Sequence, residues 1–136
     1  MDDTLFEGTW LTKPYGEVVD LAAQDGSILL VPVGSLEQHG RHLPTGTDTF
    51  LATAAARAGA ERVESTIPVL RTPPVWTGYS PHHLPFGGTI TVEHDTFIDT
   101  ITEIVASAAD NGFDAIVLVN GHGGNKSLLS AAISVA

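Results

Sequence analysis

The sequence predicts an α/β fold in which helices pack on a mostly parallel sheet. Two apolar runs, S-I-L-L-V-P-V (27–33) and D-A-I-V-L-V-N (114–120), have the length of strands and show no polar alternation. Such runs are typical of strands buried on both faces, as in a parallel sheet. Segments with helical periodicity lie between them, and strands that alternate with helices favour a layered α/β architecture.

A short helix is predicted before the first strand, over residues 14–25. Pro14 stands near its start, where proline suits a first helical turn, and apolar residues recur on one face. Gly26 then ends the helix, as glycine commonly does. The strand over 27–33 follows directly.

The middle of the chain predicts a helix and a weaker strand. Residues 47–58 form an alanine-rich helix, with Thr47 or Asp48 as its N-cap. Residues 65–70 are predicted as a strand in which Pro68 indicates an edge position or an irregular end. The expected sheet therefore has one strand that pairs poorly.

A long loop and two helices complete the pattern. Residues 71–89 contain four prolines and three glycines, and a loop of this length in a compact domain is usually functional. Residues 93–112 show the i, i+3, i+4, i+7 spacing of an amphipathic helix that ends at Asn111-Gly112. A final helix is predicted over 126–136, after the strand 114–120.

Length and composition predict one globular domain over residues 1–136, without disulfides. Cysteine is absent, so His, Asp and Glu are the strong metal ligands that the chain offers. No apolar run approaches the roughly 20 residues that span a bilayer. The acidic start M-D-D-T-L-F-E lacks the positive region of a signal peptide. We therefore expect a cytoplasmic protein without a membrane partner.

The charge balance excludes one class of partner. The formal net charge is -10, from sixteen acidic and six basic residues. Nucleic-acid binding requires clustered Lys and Arg, so we expect no nucleic-acid partner. An acidic, lysine-poor surface also occurs in salt-adapted proteins, where high ionic strength screens the excess charge. A halophilic source and an ordinary acidic cytoplasmic protein both fit this composition.

Polar clusters follow both apolar strands, where α/β folds bind their ligands. Glu37 and His39 come after the first strand and His122 comes after the second, so they meet if the two strands are neighbours. Asp48 stands at a predicted helix start, which favours an ionised carboxylate. This mixed nitrogen and oxygen set suits Zn²⁺ or Mn²⁺, and a pair of ions if one carboxylate bridges them.

Each of these signals has a simpler interpretation on its own. A lone histidine after a strand is more often a hydrogen-bonding loop residue than a metal ligand. N-G-H-G-G-N (120–125) also fits a tight turn or an anion-binding nest at a helix start. Nucleotide binding there is disfavoured, because neither G-x-x-x-x-G-K-[ST] nor G-x-G-x-x-G is present.

Three motifs resemble the creatininase (creatinine amidohydrolase) family in order and spacing. They are V-P-V-G-S-L-E-Q-H-G-x-H-L-P-x-G-T-D (31–48), L-P-F-G-G-T-I (84–90) and V-L-V-N-G-H-G-G-N (117–125). The resemblance implies a three-layer α/β/α domain around a mostly parallel sheet, here incomplete at its C-terminal end. It also implies homo-oligomers and hydrolysis of small non-peptide or cyclic amide C–N bonds by two divalent ions, Zn²⁺, Mn²⁺ or Fe²⁺.

The resemblance also implies the site residues. The four predicted ligands are Glu37 for one metal, His39 for the other, Asp48 as the bridging carboxylate and His122 for the first metal. His42 has no ligand role in the family and is interpreted as a supporting residue.

The sequence departs from the family pattern at several positions, and one departure leaves the second metal position short of a ligand. Arg41 and Gly87 replace prolines, and Gly124 stands where creatininase itself has a carboxylate ligand. Other members take that ligand from a later H-A-G-E motif, which this chain lacks. Glu93, His94 or Asp95 is a possible substitute.

Two hypotheses about function follow. The first is a metal-dependent amidohydrolase, or its N-terminal half, that acts on a small-molecule amide such as creatinine or a formamide through a metal-activated water. The catalytic general acid or base is not identified in this chain. The alternative is a truncated, catalytically impaired member that acts as a binding or assembly module. Uncovered apolar surface at the sheet edge and the final helix would favour self-association in either case.

Overall fold

The computed structural model describes residues 5–136 of the chain. Its sheet has three parallel strands. The strands are β1 (Ile28–Val33), β2 (Val69–Arg71) and β3 (Ala115–Asn120), in the order β2-β1-β3. β1 pairs with β3 along its whole length, from Ile28↔Ala115 to Val33↔Asn120. The first strand of the chain therefore occupies the centre of the sheet.

Four helices surround this sheet in two layers. They are α1 (Tyr15–Ala22), α2 (Thr47–Val63), α3 (His94–Asp110) and α4 (Lys126–Val135). α2 packs against all three strands and buries a row of small residues, Ala52, Ala56 and Ala60. Small side chains let this helix approach the sheet closely. The predicted α/β/α fold with a parallel sheet is confirmed.

The main apolar core lies on the other side of the sheet. Alternate residues of β1, Leu29, Val31 and Val33, are fully buried there. Phe97 and Ile101 of α3 pack against them, together with side chains of α1 and α4. The i, i+4 spacing in α3 thus puts its apolar face on the core, as the sequence predicted.

The predicted elements are all present, but several bounds differ. α1 ends at Ala22 rather than residue 25, and α2 continues five residues past the predicted end to Val63. Gly59 does not interrupt α2, because one glycine weakens a helix without ending it. β2 begins only after Pro68, and it is an edge strand, as that proline indicated.

The prediction that β3 is buried on both faces is wrong for the described chain. β3 pairs only with β1, and Val117 is 43% exposed. Ile133 and Val135 of α4 are exposed as well. Apolar surface at the sheet edge and the final helix is therefore uncovered, as the sequence predicted.

The long segment between β2 and α3 is ordered by contacts with the β1 end. Bridges join Val33 to Val75 and Leu36 to Ile90, and a third joins Gly78 to Thr91. A 3-10 turn, Pro81–Phe86, lies between them. This segment therefore folds over the carboxyl end of the sheet. Over residues 5–136, the helices are all too short or too polar to cross a bilayer.

Candidate metal centre

The polar clusters that follow β1 and β3 meet at one edge of the sheet. Glu37 and His39 lie in the segment after β1, and His122 lies directly after β3. Asp48 is in the first turn of α2. Because β1 and β3 are neighbours, their carboxyl ends bring these side chains together, as expected.

The four side chains form one compact group. His122 Nδ1 lies 3.0 Å from Asp48 Oδ2 and 3.2 Å from Glu37 Oε1. His39 Nε2 lies 3.0 Å from Asp48 Oδ1 and 3.9 Å from Glu37 Oε1. Glu37, Asp48 and His122 are buried, whereas His39 is half-buried. Asp48 therefore stands between the two imidazoles, with one oxygen directed to each.

Close backbone approaches set the position of Asp48. A Cβ on Gly121 would overlap the Asp48 carbonyl oxygen, and a Cβ on Gly34 would lie 2.5 Å from the Thr49 Cα. Only glycine fits at both points, so the start of α2 lies against the ends of β1 and β3. The Thr49 hydroxyl also donates to the Ser35 carbonyl over 3.0 Å.

Asparagine side chains fix the loop that carries His122. Asn120 accepts a hydrogen bond from the His122 N–H at 3.1 Å and donates to the His122 carbonyl at 2.7 Å. Asn125 is fully buried, donates to the Gly34 carbonyl and accepts from the Tyr79 N–H. The motif N-G-H-G-G-N thus works as a turn that ties three segments together.

Backbone carbonyls determine which nitrogen of each histidine carries its proton. His122 Nε2 lies 3.0 Å from the Tyr79 carbonyl, and His39 Nδ1 lies 3.2 Å from the Glu37 carbonyl. A carbonyl only accepts, so each of these nitrogens donates. In the neutral rings, the other nitrogen of each histidine directs a lone pair at the carboxylates.

Positive charge is therefore required where these lone pairs and carboxylates meet. Burial by itself raises the pKa of Asp48, but the Ser35 hydroxyl, the Glu37 carboxyl group and the charge that His39 and His122 carry when protonated outweigh burial. The net pKa of Asp48 is below its usual value. Either extra protons on the rings or a bound cation can supply this charge.

The donor set fits a divalent metal ion. Glu37, His39 and Asp48 each offer a ligand atom within 4.8 Å of the others. Glu37 Oε2 is buried and has no hydrogen-bond partner. Imidazole nitrogens fixed by carbonyls, beside carboxylates, are the arrangement that zinc and manganese sites use.

Sequence reasoning missed two histidines beside this group. His82 and His83, in the turn Pro81–Phe86, form a second potential ligand set with Glu37. The His82 ring stacks parallel to that of His122, with their centroids 6.1 Å apart. The adjacent histidines in a long Pro-rich loop were the available signal.

The other predicted residues lie outside the group. His42 is exposed, and His94 pairs with Asp95, both of them exposed. A Cβ on Gly124 would lie 2.7 Å from the Tyr79 carbonyl oxygen and against the His122 ring. A carboxylate at this position is thus incompatible with the local backbone.

Comparison with known proteins places this arrangement in a family. The family model described as Creatininase: Creatinine amidohydrolase matches residues 14–136. A 3-dehydro-scyllo-inosose hydrolase from Thermotoga maritima is 40% identical over 97 residues, covering 71% of this chain and 30% of that protein. A mycofactocin precursor peptide peptidase from Mycobacterium ulcerans is 42% identical over 110 residues, covering 77% and 44%.

One relative covers the whole chain. The creatinine amidohydrolase of Pseudomonas putida is 32% identical over 143 residues, covering 100% of this chain and 52% of that protein. The chain thus spans about half, or less, of the length of these relatives.

Solved structures agree with the sequence matches. A structure described as Creatininase Mn superposes with a TM-score of 0.87 at 30% identity, covering 95% of this chain and 51% of that one. A creatininase variant described as of Zn-Zn type gives 0.85 at 31% identity, covering 97% and 50%. With the family model matching all but the first thirteen residues, this chain belongs to the creatininase family.

Proposed function

We propose that the four predicted ligands bind divalent metal ions as part of a hydrolase that acts on a small amide C–N bond. The observation that carries this proposal is the orientation of His39 and His122. Each has one nitrogen hydrogen-bonded to a backbone carbonyl and the other directed at Asp48. A hydrogen bond from the other ring nitrogen to a carbonyl orients a histidine as a metal ligand.

The geometry of Asp48 supports two ions rather than one. Its Oδ1 faces His39, and its Oδ2 faces His122. Glu37 Oε1 lies on the His122 side, at 3.2 Å from Nδ1. We therefore assign Glu37 and His122 to one ion and His39 to the other, with Asp48 between them. Zn²⁺, Mn²⁺ and Fe²⁺ all suit this donor set.

Divalent ions of this kind supply Lewis acidity and make water nucleophilic near neutral pH. The chain's own residues prepare the site for that chemistry. Ser35 donates to Asp48 Oδ2 over 2.8 Å, which keeps the carboxylate ionised and in place. The buried side of the site faces Ser80 and Tyr79, whereas His82 is exposed at its open side. A substrate would approach past His82.

The substrate class rests on relatives whose names specify different molecules. Their names specify creatinine, an inosose and a precursor peptide. We propose a small amide, cyclic or formamide-like, and the creatinine amidohydrolase that aligns with the whole of this chain supports this choice. The net charge of -10 disfavours a nucleic-acid substrate. A cytoplasmic homo-oligomer is part of this proposal.

The test is metal content and affinity in the purified chain. We expect about two Mn²⁺ or Zn²⁺ per wild-type chain, measured by plasma mass spectrometry after dialysis. Asp48→Asn removes the charge between the histidines and should lower affinity at least about tenfold, and should reduce the metal count. His42→Ala, at an exposed histidine of the same segment, is the matched control and should leave both values unchanged.

Hydrolysis assays separate the two hypotheses about function. Metal-loaded chain is incubated with creatinine, N-formyl compounds and a short peptide, and released amine is measured. Turnover that Asp48→Asn abolishes supports the hydrolase. Metal binding without turnover supports the binding or assembly module. A wild-type chain that binds no metal would contradict the proposed site.

A further inference from the structure

His83, in the turn Pro81–Phe86, lies beside a buried carboxylate oxygen that has no hydrogen bond. Glu37 Oε2 is buried without a partner, and His83 Nε2 lies 3.6 Å from it. This distance is too long for a hydrogen bond but within reach of a small rotation, because the terminal torsion of glutamate is soft.

A hydrogen-bond chain determines the protonation of His83. The Gly40 N–H donates to Gln38 Oε1 over 2.9 Å, which fixes the orientation of the Gln38 amide. The Gln38 NH₂ group therefore faces His83 Nδ1, at 2.8 Å. An amide NH₂ only donates, so Nδ1 accepts and the proton of the neutral ring sits on Nε2.

We propose that His83 is a positioning residue that donates a hydrogen bond from Nε2 to Glu37 Oε2. This inference rests on the proposed function, since it concerns a proposed ligand. The bond holds the Glu37 carboxylate so that Oε1 stays directed at His122 Nδ1. Hydrogen bonds to ligating carboxylates of this kind typically affect metal affinity about 10- to 100-fold.

The same chain of hydrogen bonds argues against a role of His83 as a metal ligand. A metal-binding nitrogen needs a free lone pair, and the lone pair of neutral His83 is on Nδ1, occupied by Gln38. Ring contacts with His82 and Phe86, at centroid distances of 4.3 Å and 6.4 Å, flank the imidazole on the turn. Nε2 thus faces Glu37 as a donor.

The first test reads the tautomer directly in metal-free protein. Long-range ¹H–¹⁵N spectra distinguish a ring protonated on Nε2 from one protonated on Nδ1. We expect the Nε2–H pattern for His83 in the wild type. Gln38→Glu keeps the acceptor for Gly40 but replaces the NH₂ by an acceptor oxygen, so it should move the proton to Nδ1. A wild-type His83 already protonated on Nδ1 would overturn the proposal.

The second test measures Zn²⁺ affinity by competition with a chromophoric chelator. Gln38→Glu and His83→Ala should each weaken binding about 10- to 100-fold without changing the number of ions. His42→Ala, at an exposed histidine outside the group, is the control and should bind Zn²⁺ as the wild type does. Circular dichroism confirms that the variants are folded, and the isosteric Gln38→Glu remains informative if His83→Ala is not.

Other results identify other roles. Tighter binding in Gln38→Glu, or one ion lost in His83→Ala, would make His83 a ligand and overturn the proposal. Unchanged affinity in both variants would overturn it as well. A wild type that binds no Zn²⁺ would reject the proposed function and the effect on affinity, while the nitrogen spectra still decide the hydrogen-bond chain.

Discussion

At the scale of single residues, the small side chain of Ser35 affects the charge of Asp48. It is fully buried beneath the site, and its hydroxyl donates to Asp48 Oδ2 over 2.8 Å. Without a donor, a buried carboxylate loses part of what keeps it charged. One hydroxyl group therefore helps to keep Asp48 anionic between two histidines.

Replacing this hydroxyl should cost stability in a pH-dependent way. We expect Ser35→Ala to lower the free energy of unfolding of metal-free protein by about 1–3 kcal/mol at pH 7, because the bond is to a charged group. The folded-state pKa of Asp48 is lowered, so its contribution is present above the unfolded pKa, about 4, and is lost as the pH falls through the folded pKa. Ser35→Ala raises that folded pKa.

The difference between wild type and variant should thus narrow below pH about 4. Urea unfolding over a range of pH measures it. Ser130→Ala, which removes an exposed helical hydroxyl from α4, is the control and should show little effect at any pH. A difference that stays constant on acidification would contradict the assigned role of Ser35.

Sequence and resemblance together predicted the four side chains that meet at the site, but they did not predict every residue beside it. Glu37 and His122 were identifiable because each directly follows a strand whose apolar run marks its end. His83 was not, because bridges such as Leu36↔Ile90, made by residues distant in sequence, position its turn. Local patterns carry no information about such contacts.

At the scale of elements, the site depends on how closely α2 approaches two strand ends. Gly34 after β1 and Gly121 after β3 both lie against the first turn of α2, where any side chain would collide with backbone. The helix start is therefore held by contact rather than by a capping side chain, since the N-cap Gly46 has none. The N-cap role predicted for Thr47 or Asp48 is wrong.

A methyl group at Gly121 should push the first turn of α2 away from the end of β3. Gly121→Ala would place a Cβ on the Asp48 carbonyl and 3.1 Å from the Ala52 Cβ. We expect destabilisation of about 1–3 kcal/mol from overpacking, with weaker metal binding. Gly59 lies in the middle of the same helix, where an added Cβ meets no neighbouring atom. Gly59→Ala should therefore stabilise the protein by about 0.5–1 kcal/mol.

Urea unfolding of both variants checks these opposite signs. Equal stability of Gly121→Ala and wild type would show that α2 can shift without cost. That result would show that the site does not depend on the close approach of α2 to the strand ends.

The strand β3 shows why an apolar run alone does not establish burial. Its sequence matches a strand covered on both faces, yet Val117 is 43% exposed at the edge of the described sheet. An apolar run shows that a strand favours burial. Whether its side chains are buried depends on the elements that pack against it. Pro68 was more informative, because a missing N–H limits a strand to few positions.

At the scale of the whole molecule, the open edge of β3 predicts self-association. An unpaired strand edge with exposed apolar side chains is a template for another strand. We expect concentration-dependent oligomers in sedimentation velocity experiments. Val117→Lys places a charge at this edge and should shift the protein toward the monomer.

Leu51→Lys is the matched control for that shift. Leu51 is also exposed and apolar, but lies on α2. It should leave association unchanged. A wild type that stays monomeric at high concentration, or equal effects of the two lysines, would contradict a role for the edge.

Metal ions should stabilise the whole fold if the site binds them only when folded. At a free Mn²⁺ or Zn²⁺ concentration 100 times Kd, the gain in unfolding free energy is about 2.7 kcal/mol. Calorimetry should show a higher Tm that a chelator reverses and that Asp48→Asn loses. Mg²⁺, which prefers oxygen ligands, is the control and should shift the Tm little. Equal shifts with Mg²⁺ would indicate non-specific screening of the acidic surface.

The parallel pairing of β1 with β3 has a kinetic consequence. Asp48 and His122 are 74 residues apart, so they meet only after β3 has docked beside β1. The entropy of closing such a long loop must be offset before these residues touch, which places their contact late in folding. A metal ion that needs both would be absent from the folding transition state. It would therefore slow unfolding without accelerating folding, and so prolong the lifetime of the native state.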